Sequence, residues 1–574
     1  MSQLDWIVLC LTLVSIIAYG LYKSSTSKNL EGYFLSNRSM PWYLVLLSIM
    51  GTQASAITFL SAPGQAFTDG MRFVQYYFGL PIAMVVLCIT FVPLFSKLKV
   101  FTAYEFLEQR FDIKTRAFTS FLFLLSRGLS TGISIYAPSL ILSSLLGWDI
   151  FYTNIVMGGL LIIYTVSGGA KAVAYTQQLQ LIIIFVGMFI AGYMVVHLLP
   201  EGFGFIDALK VSGASGKMNI ITTGFTDKGF DWKDRYNIIS GVIGGFFLAL
   251  SYFGTDQSQV GRYLTAKNTT ESRVGLLMNG LVKVPMQFFI LLLGALLFTF
   301  YQFKQQPIFF NASQQEKLSV SSKKDSALLL EKQFVIVNNE KQKALQNFKV
   351  NEEEAKQQIQ QLNKESDALR KQYKGLIKSS KINGDDNDTN YIFLRFVVDY
   401  LPKGLVGLLI AIIFLAAWGS IAAALNSLAS CTMIDFHKRF SKKNIVKTND
   451  QEDVSDYKIS KLYTLAWGIF CVITAQFASG MGSLIEAVNV LGSLFYGVIL
   501  GIFLVGFYLK KIQGNAVFFA AIIGEIIVIT IFILDKTGVI GLGFLWLNVI
   551  GALVVVLFSL LFQLFMPKSK LINS

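Results

Sequence analysis

Thirteen stretches of about 20 mostly apolar residues, spread along the whole chain, constrain this sequence more than any other feature. A bilayer core about 30 Å thick takes roughly 20 apolar residues per helix. At that length the stretches run over 4–22, 41–62, 74–96, 117–146, 150–167, 174–199, 236–262, 274–302, 403–433, 459–478, 483–509, 515–534 and 541–566. They predict an all-α polytopic membrane protein with about 13 transmembrane helices. Only 15% of the 574 residues are charged, against about 25% in soluble domains, which excludes an ordinary soluble enzyme and a disordered chain.

The net charge of +14 reads as topology rather than as nucleic-acid binding. Alternate short loops hold the basic residues: Lys23, Lys28 and Arg38, then Lys97, Lys99, Arg110, Lys114 and Arg116, then Lys171, then Arg262, Lys267 and Arg273. The series continues with Lys438, Arg439, Lys442, Lys443 and Lys447, then Lys510 and Lys511, then Lys568 and Lys570. By the positive-inside rule these loops are cytoplasmic, which predicts an N-terminus outside and a cytoplasmic C-terminus. The first stretch, with Asp5 and no basic residue ahead of it, reads as a retained anchor rather than a signal peptide.

Catalytic and metal motifs are missing. Cys10, Cys88, Cys431 and Cys471 lie inside apolar stretches without CxxC spacing, and His197 and His437 stand alone, so neither a disulfide framework nor a zinc site is expected. Gly213-Ala-Ser-Gly-Lys217 lacks the Ser or Thr that a phosphate loop needs after its lysine. The expectation is a protein that is not an enzyme.

One polar region, 305–388, interrupts the apolar pattern on the predicted outer side. Leu345, Phe348, Ala355, Ile359, Leu362, Leu369, Tyr373 and Leu376 follow 3,4 spacing, which predicts a long amphipathic or coiled-coil helix. It reads either as a solvated helical hairpin with no transport role or as a lid or docking arm for a protein partner.

Inside a bilayer, interrupted helices survive only where they line a cavity or an ion site. The second stretch carries Ser48-Ile-Met-Gly51-Thr52-Gln53-Ala54-Ser55-Ala56-Ile57-Thr58, and the seventh carries Tyr252-Phe253-Gly254-Thr255-Asp256-Gln257. They lie five stretches apart, the relation expected of inverted repeats with a site at their interface. The ninth, with Ala416-Ala417-Trp418-Gly419-Ser420 and Leu425-Asn426-Ser427, places small residues and hydroxyls where a broken helix could face them. Freed carbonyls and hydroxyls are hard neutral ligands, for which sodium is the natural candidate.

Five ordered motifs resemble the sodium:solute symporter family, whose members carry sugars, proline, iodide, vitamins, monocarboxylates and sialic acid. They are Tyr164-Thr-Val-Ser-Gly168-Gly169-Ala-Lys171-Ala-Val-Ala-Tyr175-Thr176, Gly254 to Gln257 with Arg262-Tyr263-Leu264, Leu401-Pro402-Lys403-Gly404, Leu425-Asn426-Ser427, and Asn489 with Tyr496-Gly497. The resemblance covers almost the whole chain outside the insert. It implies a leucine-transporter-type 5+5 inverted repeat: a leading helix and loop at 1–40, repeats at 41–199 and 236–509 with the insert at 305–388 in the second, and two further helices with a short tail at 510–574.

The resemblance also implies a sodium site from the carbonyls of Gly51, Ala54 and Ala416 and the hydroxyl positions Gly419 and Ser420, with sodium the only metal and the co-transported ion. Gly419 departs from the usual Ser or Thr, and Gln177 from the usual Asp, which argues for a single coupling ion. The implied solute positions are Gln53, Ser55, Thr58, Gln75, Tyr76, Asp256, Lys283 and Asn489. Arg127, deep in the fourth stretch, either binds a substrate carboxylate bidentately or is a snorkelling or salt-bridged Arg near the cytoplasmic end, with Glu105 and Asp112 as the nearest candidate partners. The expected function is sodium-driven import of a small carboxylate or vitamin-like acid across the inner or plasma membrane. The alternatives are a sodium/sugar symporter, or a sensor on a transporter scaffold, which the lack of a signalling domain after Pro567 argues against.

Overall fold

The computed structural model describes residues 1–23, 30–380, 385–440 and 449–566, with the side chains of Leu21, Lys23, 167–172 and 449–454 left out. Gly168, Gly169 and Lys171 of the first motif, and the topological lysines Lys23, Lys28, Lys442, Lys443, Lys447, Lys568 and Lys570, therefore lie outside what is described.

The chain is mostly helical. Among the described residues ten helices are long and apolar enough to cross a membrane, or eleven with one bent pair counted as a span. Two shorter apolar helices, Ile150–Val166 and Ser240–Thr255, occupy the places of two further predicted spans. The second is short because the stretch predicted at 236–262 divides at Asp256, into Gly245–Thr255 and Gln257–Tyr263.

The bent pair is Trp42–Gln53 and Ala56–Asp69, which meet at 61°. Ala54 leaves helical geometry at ψ 77° and Ser55 is extended. The Ser55 amide donates to Gln53 O at 3.0 Å, so the Gly51 carbonyl drops out of the i to i+4 ladder. Asp256 is likewise extended, and its carboxylate accepts from the Ser258 amide and hydroxyl at 2.8 and 2.6 Å. That bond caps the second half-helix.

Glycine allows these helices to approach backbone to backbone, the usual packing in apolar surroundings. A Cβ on Gly294 of the helix Thr269–Phe303 would lie 2.1 Å from Pro63 O and 2.8 Å from Ala66 Cβ. Gly294→Ala is expected to lower stability by about 1–3 kcal/mol, since backbone atoms cannot step aside. Gly192→Ala, with nothing within 4 Å of the added methyl, is the control. Thermal unfolding in detergent should drop for the first and hold for the second; equal behaviour would refute the close contact.

The insert is a docked helical hairpin. Lys324–Gln346 and Glu352–Ser379 pair around two small apolar clusters, one of which includes Val211 and Ala214 of the helix Phe205–Ala214. The single long helix predicted through Leu345 to Leu376 is thus corrected: Leu345 lies in the last turn of the first helix, Phe348 sits in the turn, and the second starts after Asn351, whose side chain caps it. The apolar stripe that suggested a docking arm is spent inside the hairpin and against the transporter.

Candidate functional site

Two neighbouring cavities lie within the helix bundle. The outer one, about 1150 Å³, opens on the insert side between Gln65, Ile133, Glu486 and Leu491, and the insert contributes Lys374 and Asn387 to its wall. The inner one, about 100 Å³, lies at the first helix break. Ile133 and Glu486 line the outer cavity where their neighbours Ser134 and Ile485 line the inner. Ligand sites usually enclose about 300–1,000 Å³, so the inner cavity must widen to hold an organic solute.

Of the nine solute positions expected from the sequence, Gln53, Ser55, Thr58, Tyr76, Arg127 and Asn489 line the inner cavity. Ser55 precedes Ala56–Asp69 without a side-chain capping bond, so the positive end of that half-helix is open to the cavity. The Tyr76 hydroxyl donates to Asn489 Oδ1 at 3.4 Å.

Three expected positions lie elsewhere. Gln75 is fully buried, donating to Arg72 O, Thr222 Oγ1 and Tyr236 O and accepting from the Thr222 amide; it anchors the loop that holds Thr222 and Tyr236. Lys283 is buried behind Tyr77, its Nζ 5.7 Å from the ring centroid. Asp256 stands one layer back, where the Tyr496 hydroxyl donates to its Oδ2 at 3.0 Å and Arg127 Nη1 lies 3.8 Å away.

Neither of the two partners expected for Arg127 near the cytoplasmic end reaches it. Glu105 accepts from the amides of Phe101 and Thr102, and Asp112 caps the helix Ile113–Leu146; neither meets Arg127. Its Nη1 faces Asp256 and its Nε has no hydrogen-bond partner. Among the described residues it is the one charged side chain lining the inner cavity. Sequence reasoning missed Tyr77, Tyr252, Tyr496, Thr131 and Ser134, which complete the wall.

Two of the five positions expected for sodium, Gly51 and Gly419, lie against Gln177. Gln177 Nε2 donates to Gly419 O at 3.0 Å and Thr52 Oγ1 at 3.3 Å, and its Oε1 accepts from Ser48 Oγ at 2.9 Å. One amide thus ties the first half-helix to Leu405–Cys431. A Cβ on Gly51 would lie 2.9 Å from the Gln177 side chain, and one on Gly419 2.5 Å from Gln180 Oε1. The missing side chain at 419 is accommodated by the two glutamines. Ser420 lines the inner cavity, its hydroxyl donating to Ala417 O at 3.0 Å.

Comparison with known proteins agrees with this architecture. The chain is 27% identical to the sodium/sialic acid symporter SiaT of Proteus mirabilis, over 99% of this chain and 96% of that one. It is 24% identical to the sodium-coupled monocarboxylate transporter 1 of Xenopus laevis, over 88% and 67%. A solved structure of a Na+-coupled sialic acid symporter, in a substrate-bound outward-open state, shares the fold with a TM-score of 0.74 and 24% identity over 99% of both chains. The model of the sodium:solute symporter family matches residues 33–319 and 375–524. With three quarters of its length inside that match, the chain belongs to the sodium:solute symporter family, multi-pass membrane proteins that couple solute transport to sodium.

Proposed function

We propose that this protein imports a small organic carboxylate together with sodium by alternating access, with thirteen spans, the N-terminus outside and the insert facing outward. The observation that carries the reading is Arg127, the one charged side chain lining the inner cavity among the described residues. A guanidinium in a low-dielectric site favours an anionic ligand and binds carboxylate in two parallel bonds. The open end of Ala56–Asp69 at Ser55 adds a second favourable field for the same charge. Sialic acid, carried by a protein 27% identical to this one, is the first carboxylate to test.

Sodium has a natural seat between Gly51 and Ala54 on the broken helix and Ala416 and Ser420 on the facing one. Gly419 contributes no side chain, and its carbonyl is held by Gln177. Sodium there pulls the two helices together, and Ser420, which also lines the solute cavity, carries the effect to the solute. The neutral Gln177 supports a single coupling ion.

Thermal unfolding of the detergent-purified protein, with a panel of small acids and neutral sugars in sodium or choline buffer, tests this reading. A carboxylate at 100 times its Kd should add about 2.7 kcal/mol of stability, in sodium only, and uptake into proteoliposomes should fall to background in choline. Stabilisation by a neutral sugar and not by its acid would refute the carboxylate assignment.

A further inference from the structure

The match to the symporter family stops at residue 319 and resumes at 375, so most of the hairpin lies outside the part of the chain that the family model matches. Where it docks it encloses a third cavity, of about 300 Å³, separate from the solute site. The floor is apolar, made by Phe67 and Phe298, whose ring centroids are 5.4 Å apart. The walls carry five basic side chains, Lys217, Lys341, Arg370, Lys371 and Lys374, against one acid, Asp367.

The basic groups are unequally compensated. Asp388 takes two of them, with Arg370 Nη2 at 2.6 Å and Lys374 Nζ at 2.7 Å. Lys217, Lys341 and Lys371 form no ion pair among the described residues. Lys341 is 2% exposed and its Nζ bonds only the neutral hydroxyl of Ser366, at 2.9 Å. Gln302, also 2% exposed, lines the same cavity with neither amide atom hydrogen-bonded. Burial pushes the Lys341 ammonium down to about 8, a shift that Asp367 opposes. A buried ammonium and an idle amide around a cavity of ligand size are the marks of an anion site whose ligand completes the bonding.

We propose that this cavity is a second, sodium-independent binding site for a small organic carboxylate, which captures the solute at the outer face and passes it to the large outer cavity. Thr68 and Lys374 line both this cavity and the large outer one, so the two cavities adjoin and a released anion has a short way to the larger one. The apolar floor suits the carbon body of the solute, and Lys341, Lys371 and Gln302 suit its carboxylate. The choice of carboxylate rests on the proposed function; the sodium independence does not, because none of the positions argued for sodium lines this cavity.

Equilibrium binding of radiolabelled sialic acid and of lactate to the detergent-purified full chain, in sodium and in choline, tests it. The wild type should show a sodium-dependent and a sodium-independent component. Arg127→Gln should lose the first and keep the second. Lys341→Met combined with Lys371→Gln should weaken the second at least about tenfold, the loss expected for charged hydrogen bonds, and leave the first unchanged, which also reports correct folding. No sodium-independent component for either probe, or one indifferent to the lysine pair, overturns the outer site. A sodium-independent component without a sodium-dependent one overturns the proposed central function and leaves the outer site standing. Inorganic phosphate displacing the outer probe more than tenfold better than unlabelled carboxylate assigns the cavity to phosphate groups and overturns its role in solute capture.

Discussion

Replacing Arg127 by Gln is expected to reduce carboxylate uptake by a factor between about 30 and several thousand, because truncating one partner of a buried charged pair costs about 2–5 kcal/mol. The fold should survive. Asp256, left without its cation, keeps the amide and hydroxyl of Ser258 and the hydroxyl of Tyr496. Arg127→Lys should be intermediate: an ammonium preserves the charge but cannot face Asp256 and hold a carboxylate in two bonds at once. Uptake measured beside thermal unfolding separates a lost ligand contact from a lost fold. Wild-type uptake by the Gln variant would remove Arg127 from the solute site and the carboxylate with it.

The contrast between Arg127 and the other charged positions shows what the sequence discloses. The broken helices were legible, because Gly51 to Thr58 and Gly254 to Gln257 put small and polar residues inside apolar runs, where the cost of unsatisfied backbone demands a reason. Polarity does not disclose direction. Gln75, Asp256 and Lys283 lie on the right helices but turn away from the cavity, Gln75 into the loop of Thr222 and Tyr236 and Asp256 into the cap of Gln257–Tyr263. Tyr77, Tyr252 and Tyr496, which do face it, look in sequence like any aromatic of a membrane helix. The turn of the insert was missed for a similar reason: it contains neither Gly nor Pro. Its signal was Asn351 followed by Glu352, Glu353 and Glu354, a capping residue with acids in the first turn.

Gly419 and Gln177 were legible as departures from the family pattern but not as a pair. The structure gives them one explanation, since Gln177 bonds the Gly419 carbonyl and Gln180 fills the space a side chain at 419 would need. Two positions far apart in sequence therefore depend on each other, a relation that only proximity exposes.

Asp435→Ala is expected to destabilise the protein by about 3–5 kcal/mol, the cost of removing one partner from a buried ion pair. Asp435 has no exposed side-chain surface. Its Oδ1 accepts from Arg116 Nε and Nη2 at 2.9 and 2.6 Å and from Thr102 Oγ1 at 2.8 Å, and its Oδ2 accepts from Ser120 Oγ at 2.9 Å. Glu108 holds the far side of the guanidinium at 2.7 Å and pairs with Arg439. The cluster joins Glu105–Arg110, Ile113–Leu146 and the end of the helix that carries Ser420. Beside it the Tyr104 hydroxyl donates to Thr255 O at 2.8 Å, and Gln257 bonds both the Ala103 amide and Phe101 O, closing the side opposite the insert across the second helix break. Loss of Asp435 should therefore loosen that closure as well as lower the unfolding temperature. Cys431, one turn away and fully buried, is a built-in reporter: in a Cys10→Ser background it should resist alkylation in the parent and react in the Asp435→Ala variant. An unchanged unfolding temperature with Cys431 still unreactive would shift the closure to the Tyr104 and Gln257 contacts alone.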